Sequence, residues 1–95
     1  MKIWGISGPY HVRSPKTIVD KEGQDLIGCH RWVEREIVIR ADLKGHARTN
    51  IIWHEWCHAV MADGGVSLSK NAAERVCNIL AAALTGAGVK PPLVK

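Results

Sequence analysis

Residues 51–62 read Ile-Ile-Trp-His-Glu-Trp-Cys-His-Ala-Val-Met-Ala, and the fold turns on how this stretch is placed. His54 and His58 are four apart, and Glu55 directly follows the first. On a helix, positions i and i+4 stack on one face, so the two imidazoles can grip one cation from one side. Glu55 is turned by about 100° around the same axis, which sets its carboxylate beside such a cation rather than on it. A carboxylate held there suits removal of a proton from water. The pattern is H-E-x-x-H, a zinc-hydrolase arrangement that structural context must confirm.

The neighbours supply part of that context. Ile51, Ile52, Trp53, Trp56, Val60 and Met61 are apolar on nearly every face. A helix apolar all round is buried. Polar groups inside it need partners, because each unpaired one costs roughly 2–7 kcal/mol. One bound zinc ion is such a partner. The plainer reading is a core helix whose histidines hydrogen-bond to backbone.

The rest of the composition bounds the function. Ninety-five residues make one domain with a modest core, to which a metal can add folding free energy. No run approaches 18 consecutive apolar residues, so no membrane span is expected. The start, Met-Lys-Ile-Trp-Gly-Ile-Ser-Gly, is too polar for a signal peptide, and a cytoplasmic location is the expectation. Cys29, Cys57 and Cys77 form no paired framework and fit a reducing compartment. The net charge of +4 comes from basic residues scattered along the chain. With no dense stripe and no nucleic-acid motif, a nucleic-acid partner is not expected.

Residues 1–42 read as the sheet portion. Residues 2–7 suggest a short strand, Gly8-Pro9 a turn, and Thr17–Asp20 another short strand. Asp25–Trp32 and Glu34–Asp42 suggest an antiparallel hairpin. In the second of these, Glu34, Glu36, Val38 and Arg40 alternate with Ile37, Ile39 and Ala41, as in a half-buried strand. The motif helix is expected over about 46–62, capped by Asp42 or Thr49 and stopped by Gly64-Gly65. A second helix is expected over about 70–85, with Ser67 or Ser69 as its cap and Gly86 and Gly88 as its stop. The tail, 86–95, contains Pro91-Pro92 and cannot be helical there.

A catalytic zinc usually takes three protein ligands and keeps one position open. Glu74, among Ala72, Ala73, Val76 and Cys77 on the second helix, is the candidate third ligand. Otherwise it is an exposed helix glutamate beside Arg75. Asn78, one turn further on, can accept from His54 or simply face solvent. A rival closed site would use Cys29, Cys57, His58 and Cys77. Cys57 and His58 are about 100° apart on the helix, which opposes it.

His54-Glu55-x-x-His58, a glycine-containing loop and Glu74 on an Ala-rich helix resemble the gluzincin metallopeptidases. The likeness is to their smallest members, the minigluzincins and small phage-type zinc peptidases, related in pattern to ImmA/IrrE-like peptidases. It spans about residues 26–84 and includes the hairpin before the helix. The resemblance implies an α+β, small zincin-like fold, with an antiparallel sheet or hairpins packed on the active-site helix and the glutamate helix. It implies zinc on His54, His58 and Glu74, with Glu55 as catalytic base in peptide-bond hydrolysis. The pattern departs at Asn78, where the family has Asp, and in lacking a downstream His or Tyr to steady an oxyanion. Tyr10, His11, His30 and His46 are the upstream candidates, and His30, on the hairpin, is the first choice.

The expected partner is a peptide or protein substrate, paired along the edge at Leu26–His30. Two alternatives stand beside hydrolysis. One is a zinc-stabilised binding module with little or no turnover. The other is a latent protease whose segment Val89–Lys95 covers the cleft.

Overall fold

The computed structural model describes residues 1–95. Four strands, β1 (Lys2–Trp4), β2 (Pro9–Arg13), β3 (Gly28–Arg31) and β4 (Glu36–Ile39), precede two helices, α1 (Gly45–Asp63) and α2 (Lys70–Gly86). The sheet order is β1-β2-β4-β3. β1/β2 and β4/β3 pair antiparallel, but β2 and β4 run parallel, so the sheet is mixed rather than antiparallel. One face of the sheet lies on α1, and α2 packs on α1 without touching a strand. The architecture is therefore α+β with α1 in the middle layer.

Residues 48–63 of α1 include no exposed position, as its apolar surroundings required. Ile52 and Ala59 meet Ile3, Tyr10, Val12, Ile37 and Ile39 in the core, with Leu43, Ile51, Trp56 and Val60 packed around them. Neither Asp42 nor Thr49 caps α1. Lys44 occupies that position and gives no side-chain hydrogen bond, so burial rather than a cap fixes the start. At the other end Val66 N–H bonds to Met61 O and Gly65 N–H to Ala62 O. Gly65 takes φ +76°, the left-handed residue that this closure requires. α2 starts on Ser69, whose hydroxyl accepts from the Ala72 N–H at 3.2 Å.

Two strand expectations need correction. The second strand is Pro9–Arg13, not Thr17–Asp20, where only a Val19–Asp25 bridge forms. Tyr10 and Val12 are buried while His11 and Arg13 are exposed, a period-two pattern hidden by reading Gly8-Pro9 as a turn alone. Proline is tolerated as a first strand residue. In β4, Val38 is 1% exposed and does not share the polar environment of Glu36. Ile37, Val38 and Ile39 are all buried, so this inner strand is covered on both faces.

The segment Val89–Lys95 does not cover the cleft. It runs along β1, where Trp4 N–H bonds to Pro92 O at 2.8 Å and Val94 N–H to Lys2 O at 2.9 Å. Trp53 Nε1–H, from α1, donates to Val89 O at 3.0 Å. β1 and β3 are opposite edges of the sheet, so this segment lies away from β3.

One clasp ties both hairpin turns to the end of α1. Arg35 stands in the β3–β4 turn at φ +57°, the one non-glycine residue in the left-handed region. Its Nη1 donates to Asp63 Oδ2 at 2.6 Å and to Ser7 Oγ at 3.2 Å, its Nη2 donates to the Gly8 carbonyl, and its guanidinium lies 4.0 Å from the centre of the Tyr10 ring. Ser7 also donates to Asp63 Oδ2 at 2.7 Å. The Ser7 and Arg35 hydrogen bonds hold the Asp63 carboxyl at a pKa of about 2, well below its ordinary value. The cation also offsets the unfavourable placement of a carboxylate at a helix C-terminus.

Candidate metal centre

α1 brings His54 and His58 to one face, and α2 brings Glu74 against both. His54 Nε2 lies 3.2 Å from His58 Nε2 and 3.4 Å from Glu74 Oε2. His58 Nε2 lies 2.7 Å from Glu74 Oε1. The ligand atoms of the three residues lie within 4.8 Å of one another, and the cluster can hold a metal ion. Donors about 2.05 Å from a tetrahedral zinc stand about 3.3 Å apart. The 3.2 and 3.4 Å separations match that spacing. The 2.7 Å contact is of hydrogen-bond length, so Glu74 reaches the two imidazoles with separate oxygens. Two histidines turned on one carboxylate suit zinc.

Both histidine side chains are 13% exposed, whereas that of Glu74 is 47% exposed. Two ligands thus sit in the wall of the domain, while the third reaches in from its rim. Glu74 is the polar member of an otherwise small, apolar stretch of α2 over Ala72 and Ala73, and a helix turn later Cys77 anchors that helix against α1.

Glu55 sits where the helical geometry sets it, off the ligand cluster but beside it. Its Oε2 is 4.0 Å from His54 Nε2. His30, on β3, joins the same group. Its Nδ1 is 3.3 Å from Glu55 Oε1, and its ring stacks on His58 with centroids 5.2 Å apart and planes 6° apart. The approach of β3 to α1 depends on Gly28. A Cβ there would come within 2.6 Å of Ile51 Cγ2 and 3.3 Å of Glu55 Cγ. A lone glycine in a strand pattern is the signal of such close backbone approach.

The cluster lies in a cleft floored by α1, between β3 and α2. A central cavity of about 440 Å³ is lined by Gly28, His30, Glu55, His58, Lys70 and Glu74, among others. Beyond His54 a cavity of about 560 Å³ includes Ile27, Leu43, Ile51, Asn50 and Asn78. Beyond His58 a third, of about 410 Å³, includes Met61, Val66 and Leu68. Asn78 is exposed and lines the cavity near His54 and Glu74, but no hydrogen bond joins it to either histidine.

The other candidates are elsewhere. Tyr10 is fully buried, its hydroxyl 3.2 Å from Ala59 O and 3.1 Å from Asp63 Oδ2, and burial raises its pKa. His11 is exposed on β2, and His46 lines a small separate cavity with Thr49 and Thr85. The cysteines do not join the metal cluster. Cys57 and Cys77 are both buried neighbours, and burial pushes the Cys77 thiol pKa far up.

No helix of the chain is long and apolar enough to cross a membrane. Comparison of the chain with protein-family models, with curated proteins and with solved structures found no match.

Proposed function

We propose that the chain is a zinc-dependent peptide hydrolase with a small zincin-like fold and the gluzincin ligand set His54, His58 and Glu74. The observation that carries this reading is the convergence of two Nε2 atoms and one carboxylate, with a second carboxylate, Glu55, 4.0 Å to the side. Two imidazoles and a carboxylate make an open catalytic set, whereas closed structural sites favour thiolates. When bound, zinc supplies Lewis acidity, lowering the pKa of a water to about 7 and polarising a carbonyl. The side chains supply the proton traffic. Glu55 Oε2 takes a proton from the attacking water and later delivers it to the amine nitrogen that leaves.

The substrate is an extended peptide. β3 is an edge strand, so its outer backbone groups can pair with another backbone. The apolar residues on either side of the centre, Ile27, Leu43 and Ile51 at one end and Met61, Val66 and Leu68 at the other, suit uncharged side chains flanking the cleaved bond.

One observation favours a second reading. Tyr10, the sole tyrosine, is locked in the core, so no phenol reaches the cleft to steady an oxyanion. The same site without turnover is a zinc-stabilised peptide-binding module. Digestion of a peptide mixture separates the two, with metal analysis, a chelator and Glu55→Gln alongside. The hydrolase binds one zinc per chain and loses activity to the chelator. Its Glu55→Gln variant keeps zinc and slows by about 10²–10⁴-fold. Equal cleavage by that variant removes Glu55 as the base, and no cleavage by zinc-loaded wild type leaves the binding module.

A further inference from the structure

We infer that His30 is a positioning residue for Glu55: its Nδ1–H holds Glu55 Oε1 and so keeps Oε2 directed at the ligand cluster. The inference rests on the hydrolase reading above for its kinetic consequence, but the contact itself does not.

The two oxygens of Glu55 face different partners. Oε1 is 3.3 Å from His30 Nδ1, and Oε2 is 4.0 Å from His54 Nε2. A carboxylate can only accept, so in this contact Nδ1 carries the hydrogen. In the Nδ1–H tautomer, Nε2 is bare and an acceptor, which cannot donate to an oxyanion. That argues against the expected role of His30 as an oxyanion helper and assigns it to the base instead.

The position of His30 is itself tightly set. In the β3–β4 register it pairs with Ile37, which is fully buried. Gly28, two residues earlier and on the same face of β3, allows the strand to lie against Glu55. Stacking on His58 fixes the plane of the ring. A freely rotating glutamate would present either oxygen to the ligand cluster. One restrained by a strand, a ring stack and a hydrogen bond presents the same one each time, and a misplacement of about 1 Å can cost 10²-fold in rate.

Two measurements test this on the zinc-loaded protein. Long-range proton–nitrogen NMR should show His30 with hydrogen on Nδ1 and a bare Nε2, and Glu55→Ala should shift it toward the Nε2–H form. A hydrogen on Nε2 alone in the wild type overturns the inference whether or not any peptide is cleaved. In kinetics, His30→Leu should lower kcat by about 10–100-fold with KM and zinc content little changed. His30→Gln, which keeps a donor, should recover part of the loss. In a Glu55→Gln background His30→Leu should cost nothing more, and a further drop there would mean that His30 acts on the substrate directly. If the NMR result holds and no peptide is cleaved, the hydrolase reading fails while the His30–Glu55 contact stands.

Discussion

The two edges of the sheet are finished in opposite ways. Along β1, the segment Val89–Lys95 takes up the outer hydrogen bonds, with Leu93 opposite Ile3. Along β3 no strand follows, and the open edge borders the cleft that holds His54, His58 and Glu74. An open edge invites pairing with other chains and is usually blunted. This protein blunts the edge remote from the His54–His58–Glu74 cluster and leaves the other free. On the hydrolase reading, the free edge is the substrate's docking line.

The largest expected effect sets the cleft against the covered edge. His58→Ala should weaken zinc binding by about 100-fold or more, because two donors remain where catalytic sites use three. Truncation after Gly88 should leave zinc affinity unchanged. It should instead lower stability by about 1–3 kcal/mol, since the buried Trp53 indole loses its acceptor on Val89. Metal titration and urea unfolding of both variants check the pair. Faster peptide cleavage by the truncated chain would restore the idea of latency, against the place the segment occupies.

Two glycines sharpen the contrast at smaller scale. A Cβ on Gly5, just past β1, would lie 2.2 Å from Tyr10 Cε2, whereas one on Gly28 would lie 2.6 Å from Ile51 Cγ2. Each alanine variant should cost about 1–3 kcal/mol by overpacking. On the hydrolase reading, Gly28→Ala should also displace Glu55 and slow cleavage, while Gly5→Ala should spare it once both are assayed below their melting temperatures. Equal rates in the two variants would mean that the approach of β3 to α1 does not set the base.

The same division explains what could be read from the sequence. The convergence of His54, His58 and Glu74 was legible because one helix fixes the two histidines and the next carries the glutamate. α2 was legible because its signals are local: Ser69 at the start, alanines within, glycines after. The parallel pairing of His11–Arg13 with Glu36–Val38 has no local signature, and a strand beginning at Pro9 resembles a turn. The His30–Glu55 contact joins residues 25 apart and depends on that register. Lys44 heads α1 without a capping side chain, so no sequence signal marks the start of the most buried helix.

The Arg35–Asp63 clasp joins the turns beside both edges, and its prediction is a pH dependence common to them. Asp63 has its folded pKa held at about 2, below its unfolded value near 4. Its stabilisation is therefore complete above about pH 5 and is lost as the pH falls through 4 toward 2. The melting temperature of Asp63→Asn should lie below that of the wild type at pH 7, and the gap should close toward pH 2. A gap independent of pH would mean that the carboxylate charge contributes nothing.

The smallest effect is expected at Asn78. A partner that orients a ligand histidine typically matters by 10–100-fold in metal affinity. Asn78 is exposed and bonds to neither histidine, so it lacks the contact through which such an effect would act. Asn78→Ala should therefore change zinc affinity by less than about threefold. Asn78→Asp restores the residue of the resembled pattern without supplying the missing contact, and it too should bind zinc nearly as the wild type does. A tenfold gain in the aspartate variant would mean that α2 moves toward α1 when the cluster is loaded, bringing position 78 within reach of His54. That outcome would also tighten Glu74, the half-exposed ligand on the same helix.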